Sequence, residues 1–122
     1  MPSTMKSLFA ALTLAALCCP VNAMDGNELR DDCKKGEQGD MVDRGFCIGY
    51  IAGFSEALDV LYCIPHGVTY GQIKNVVVAY LDSHLTELHQ QASTLTDLAL
   101  KDAWPLTKDK VQAKICRGWE GK

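Results

Sequence analysis

Apolar residues in this chain recur at three- and four-residue steps in blocks separated by short polar or proline-containing breaks, which predicts helices throughout. The strongest block spans residues 41–63, where Phe46, Tyr50, Phe54, Leu58 and Leu61 form one stripe and Glu56 and Asp59 lie off it. Ile64-Pro65-His66-Gly67 ends that helix, because proline disfavours helical geometry in the residue before it and glycine permits a reversal. Thr69, with Gln72 three residues on, forms a capping box for a helix over 70–83. Its inward face is Ile73, Val76, Val77, Tyr80 and Leu81. The β-branched run 76–78 has strand composition, but the 3.6 spacing and the cap favour a helix. Before these blocks, Asn27 is placed to cap a helix over 28–35, closed by Gly36 and followed by a polar loop over 36–40. Beyond them, residues 83–91 read as a long polar loop, and Ser93 or Thr94 caps a helix running to Trp104. In that helix Leu95, Leu98, Ala99 and Ala103 face inward, and Pro105 ends it. Thr107 caps a last short helix through Cys116. The pattern predicts an all-α fold, a small bundle of four to five helices.

The N-terminus has a different character. Lys6 precedes an uncharged apolar run over 8–19, Pro20 breaks the run, and Val21 and Ala23 supply small residues at positions −3 and −1 of a cut after Ala23. This is the layout of a cleaved export signal, and the run is too short to span a bilayer. Leu17 and Cys18 precede the two signal-region cysteines, where a lipoprotein signal needs a small residue, so lipidation is not expected. Residues 24–122 then form one domain, with no later stretch apolar enough for membrane insertion.

Charge narrows the function classes. The full chain has 12 basic and 15 acidic residues, and removing Lys6 takes the balance from −3 to −4. A mildly acidic chain without a basic stripe is a poor nucleic-acid binder. The charge is uneven: residues 45–100 hold Glu56, Asp59, Asp82, Glu87 and Asp97 against Lys74 alone, whereas residues 101–122 hold six bases and three acids. A charge-steered partner is therefore expected to be basic where it meets the middle of the chain.

Cys33, Cys47, Cys63 and Cys116 remain after the cut, an even number in a short exported chain and thus a disulfide framework. If residues 41–63 form one helix, Cys47 and Cys63 stand ~24 Å apart at 1.5 Å per residue and cannot bond. The favoured pairing is Cys33–Cys47 with Cys63–Cys116, and the crossed pairing Cys33–Cys63 with Cys47–Cys116 stays open. Zinc is not expected without a C-x2-C pair.

Gly45, Gly49 and Gly53 line one side of the long helix, and each costs about 1 kcal/mol of helix propensity relative to Ala. Close approach of another backbone would offset that cost; packing against the third or fourth helix of the same chain is the leading expectation, and a dimer seam is the second. Signatures of catalysis are thin. Ser55 lacks the second glycine of a nucleophile elbow, the carboxylates show no acid–base pair, and no glycine-rich phosphate loop is present. His84 and His89 are five residues apart in a loop, a poor spacing for a metal pair. Neither a catalytic residue, a metal site nor a cofactor is expected.

One combination is more specific. The run Phe46-Cys47-Ile48-Gly49-Tyr50-Ile51-Ala52-Gly53, followed by Cys63-Ile64-Pro65-His66-Gly67-Val68-Thr69, Gln72 and the helix through Leu81, resembles the Rap/Tai immunity proteins of bacterial type VI secretion systems. The similarity extends from about Asn27 to Pro105 and takes in Leu88-His89, Ala92 and Trp104-Pro105. Family members often carry a cysteine directly after that proline; here Leu106 stands there and Cys116 follows ten residues later. The resemblance implies a small periplasmic helical protein, able to dimerise, that binds a peptidoglycan-cleaving amidase effector and blocks its active-site cleft without catalytic residues of its own. The segment expected to contact the effector is the polar loop, through His84, Glu87, His89 and Gln90. The rival readings are a periplasmic acid-stress chaperone, or an exported helical binding protein with another target.

Overall fold

The computed structural model describes residues 22–119. The expected export signal up to Val21, with Cys18 and Cys19, lies outside them. Five α-helices occur in order: α1 (Gly26–Glu37), α2 (Met41–Ala57), α3 (Tyr70–Ser83), α4 (Ala92–Ala103) and α5 (Lys108–Gln112). Single 3-10 turns lie at Asp59–Leu61, Leu85–Glu87 and Arg117–Trp119. The described residues contain no strand; two isolated antiparallel bridges join Asp25 to Gln91 and Pro65 to Cys116.

Helix α1 starts before the expected Asn27 cap because Asp25 makes a capping box with Glu28. The Glu28 amide donates to the Asp25 carboxylate at 2.9 Å, and the Asp25 amide donates back to the Glu28 carboxylate at 3.1 Å. The chain then reverses, and Asp40 caps α2 by accepting from the amides of Val42 and Asp43. The two helices pack tightly where Gly36 meets α2, since a Cβ there would come within 2.6 Å of the Arg44 Cα.

Helix α2 is shorter than the apolar stripe implies, ending at Ala57 rather than continuing to Cys63. Leu58 leaves helical geometry, and after one 3-10 turn the extended Tyr62 carries Tyr62, Cys63 and Ile64 into the core, all at most 1% exposed. The Cys63 amide donates to the Trp104 carbonyl at 3.0 Å. In an extended segment successive side chains point to opposite sides, so these three are all buried because the segment is covered on both. The predicted stripe is inward only in part: Tyr50, Phe54 and Leu58 are half-buried against the core, but its two ends are not. Phe46 is 50% exposed and Leu61 45%, while Cys47, Ile51 and Ser55 form the buried line of α2.

Helix α3 matches its predicted range and cap to the residue: Thr69 Oγ1 accepts from the Gln72 amide and the Thr69 amide donates to Gln72 Oε1. Helix α4 starts at Ala92 with no side-chain cap; instead the Ala92 amide donates to the Met24 carbonyl. Leu95 and Ala99 are buried as expected, but Leu98 and Ala103 are exposed and Thr96 and Leu100 take the inward positions. The core joins Leu29, Ile51, Tyr62, Ile64, Ile73, Val77, Leu81, Leu95 and Leu100. At its edge the Tyr62 hydroxyl donates to Asp97 at 2.6 Å, and Asp97 also receives Lys101 at 2.7 Å.

Both favoured disulfides are present, Cys33–Cys47 with Cα atoms 5.0 Å apart and Cys63–Cys116 at 4.5 Å. Cys116 is reached because α5 stops at Gln112 and Lys114, at φ 55°, turns the chain back onto Pro65. The expected helix through Cys116 is therefore interrupted.

Candidate functional site

The segment over 83–91 departs from the long open loop expected from its polarity. A 3-10 turn occupies its centre, Leu88 is 5% exposed, and the part after the turn is tied to the start of α1. The Asn27 amide donates to the Leu88 carbonyl at 3.1 Å and the Gly26 amide to the Gln90 carbonyl at 3.0 Å. The segment is thus a rigid ledge anchored by one apolar side chain and backbone bonds.

The four residues singled out there have different surroundings. The His84 ring stacks on Tyr80 with centroids 3.9 Å apart, and Nδ1 lies 2.7 Å from the Tyr80 carbonyl oxygen and 3.0 Å from Ser83 Oγ. A carbonyl can only accept, so the hydrogen sits on Nδ1 and Nε2 is the acceptor of the neutral ring. Glu87 and Gln90 are half-buried, and His89 is exposed. No side-chain hydrogen bond or ion pair joins the four to one another. The exposed large apolar side chain on the ledge is Leu85, at 58%, in a segment whose composition is otherwise polar.

Gly45, Gly49 and Gly53 need a correction. All three are exposed, and a Cβ at any of them would meet nothing within 4 Å. None of the described helices packs there. The reason is rotational: Cys47 must face α1 to reach Cys33, so Ile51 and Ser55, four and eight residues on, share that side. The glycines lie two residues out of step, about 200° round the helix. Met41 (75% exposed), Val42 (80%) and Phe46 flank them, so one face of α2 is apolar, glycine-lined and open. The disulfide spacing was the signal that could have located this face.

A cavity of about 460 Å³ lies apart from both features, between the end of α1 and the starts of α2 and α3. Its Lys74 is already paired with Glu37 at 3.1 Å. Among the described residues no group of three or more His, Cys, Asp or Glu side chains is placed to hold a metal ion. All four cysteines of the domain are consumed in disulfides. No described helix is long and apolar enough to cross a membrane.

Electrostatics here are structural. Arg30 and Lys34 donate to Asp82 at 2.7 and 2.8 Å, and these bonds hold its carboxyl below the usual carboxylate value. Burial pushes Asp97 upward, but the bonds from Lys101 and Tyr62 outweigh it and hold that carboxyl low. Burial, then the Asp97 bond, raises the Tyr62 phenol well above its ordinary value.

A rigid disulfide-bonded helical domain with an anchored ledge and an open apolar helix face is equipped to bind a protein surface. Comparison with known proteins agrees with that character. A family model described as Rap1a immunity proteins matches residues 25–106, from the α1 cap to just past α4. No curated protein and no solved structure matches the chain. The family match covers well over half of the sequence, so this chain belongs to the Rap1a immunity protein family.

Proposed function

We propose that this protein is a periplasmic immunity protein that binds and blocks a peptidoglycan-cleaving amidase effector of a type VI secretion system. The observation that carries the reading is the immunity-family match across all four long helices. Two disulfides agree with work in an oxidising compartment, reached after cleavage at Ala23 leaves residues 24–122 as the working domain. Inhibition by docking needs a preformed surface rather than a nucleophile, and a ledge held by backbone bonds supplies one at low entropic cost. His84, Glu87, His89 and Gln90, with Leu85 beside them, are the contact residues of this reading.

The test is protection. The full chain with its signal is co-expressed with the cell-wall amidase encoded beside its gene and directed to the periplasm. Survival of the cells, together with a purified complex, is the expected result. Lysis despite export of the oxidised protein would overturn the reading.

A second copy of the chain is the proposed occupant of the open α2 face. Three glycines lower helix propensity without packing closely against any other described residue, which supports a use in contact with a partner. In an isologous seam each Phe46 would lie against the partner's glycine line. Sedimentation should show a dimer that Gly49→Leu abolishes, and a monomer at every concentration would exclude the seam.

A further inference from the structure

The family match ends at residue 106, yet the chain continues through α5 to Trp119 and is covalently fastened back by Cys116. This tail differs from the rest in charge. Residues 107–119 carry Lys108, Lys110, Lys114 and Arg117 against Asp109, or 4 − 1 = +3. Residues 24–106 carry 6 basic and 13 acidic side chains, or −7.

Arg117 is committed to the fold, donating to Ser55 Oγ at 3.3 Å. Lys108, Lys110 and Lys114 are not: no ion pair to any described carboxylate is formed by them, although the remainder of the domain is acidic. Lys108 lines a cavity of about 320 Å³ together with Leu106, Thr107, Val111, Gln112 and Trp119. Trp119 is fixed there by its Nε1–H, which donates to the Val60 carbonyl at 3.2 Å. Gly118 allows that seating, because a Cβ would come within 2.7 Å of the Asp59 carbonyl oxygen.

We infer that the stapled tail is a second docking surface, one that takes an acidic protein surface presenting a bulky apolar side chain. The cavity has the size and apolar floor to hold one anchoring side chain, and Lys108 on its wall, with Lys110 and Lys114 in the same short tail, favours negative charge in the partner. A membrane is a poorer occupant, since three lysines provide weak attraction and the five-residue α5 has no apolar face long enough to insert. The surface stands on this chain's own charges and cavity; its use against an effector rests on the immunity reading.

Two probes separate the two claims. The first is an acetylated peptide with two central leucines flanked by aspartates and glutamates, titrated into the oxidised protein and followed by backbone NMR. Shifts should map to residues 106–119, vanish in the triple variant K108E/K110E/K114E, and be absent with a lysine-flanked peptide. The second is a catalytically inactivated form of the cell-wall amidase used in the protection test. The triple variant should slow its association at low salt at least tenfold, and Leu106→Asp, a change at a 39% exposed position, should speed its dissociation. Peptide binding without amidase binding to the wild-type protein would end the immunity reading and support the surface. Peptide shifts outside the tail, equal shifts with the lysine-flanked peptide, shifts with anionic phosphatidylglycerol vesicles alone, or unchanged amidase kinetics in both variants would overturn the surface. Thermal melts and non-reducing peptide mapping confirm that each variant is folded with its disulfides intact.

Discussion

Removing the two disulfides one at a time should produce unequal damage, and the structure says which loss is worse. Cys63–Cys116 spans 53 residues and Cys33–Cys47 spans 14. Loop-closure entropy alone assigns about 4 kcal/mol to the longer and about 3 kcal/mol to the shorter. Packing widens the gap. Without its disulfide, the α1–α2 reversal still has the Asp40 cap and the close approach of Gly36 to Arg44. The tail is held otherwise by few bonds, chiefly the Arg117 amide to the Ile64 carbonyl, the Arg117 guanidinium to Ser55, and the Trp119 indole to Val60. Three such bonds contribute roughly 2–4 kcal/mol, less than the roughly 1–2 kcal/mol per residue needed to order the tail backbone. The double variant C63A/C116A should therefore release residues 107–119 and lower stability by about 4 kcal/mol, whereas C33A/C47A should lose about 3 kcal/mol with the tail still protected. Urea titration measures the first quantity and amide hydrogen exchange the second. A larger loss in C33A/C47A, or full protection of the tail in C63A/C116A, would refute the reasoning.

The other outcomes can be stated briefly. Gly49→Ala adds a methyl that meets nothing within 4 Å, so in dilute solution it should stabilise the monomer by up to about 1 kcal/mol while weakening self-association; a loss of monomer stability in urea would contradict the open face. Asp82, held below its unfolded value of 3.8 by Lys34 and Arg30, contributes stability that is present above that value and lost as the pH falls below it. Asp82→Asn should therefore flatten the stability profile between roughly pH 5 and pH 2, as read by thermal melts across that range. Tyr62→Phe should cost about 1–2 kcal/mol by removing the bond to Asp97. Because the Tyr62 phenol is raised in the folded state, the wild type should also lose stability as the pH climbs above 10.0, and the variant should lose less; equal alkaline profiles would remove Tyr62 from that role.

Much was legible from residue order because local geometry dictated it. Thr69 and Gln72 close their box within one helical turn, so α3 was predicted to the residue. Cys33 and Cys47 flank a short reversal that brings them together, which favours the pairing the structure contains over the crossed one. Cys63 pairs with Cys116 even though α2 does not run to Cys63.

What the chain order left undecided was orientation. Phe46-Tyr50-Phe54 and Cys47-Ile51-Ser55 are both regular stripes on one helix, and hydrophobicity alone favours the first. A residue 53 positions away cast the deciding weight at Cys63, and the contact with α1 did so at Cys47. Those contacts turned the glycines outward and pulled Tyr62 to Ile64 inward. They also bound the polar run over 83–91 to the first turn of α1. Periodicity reports that a helix has two faces; which face meets the core depends on neighbours distant in sequence, and only packing of the whole domain selects them.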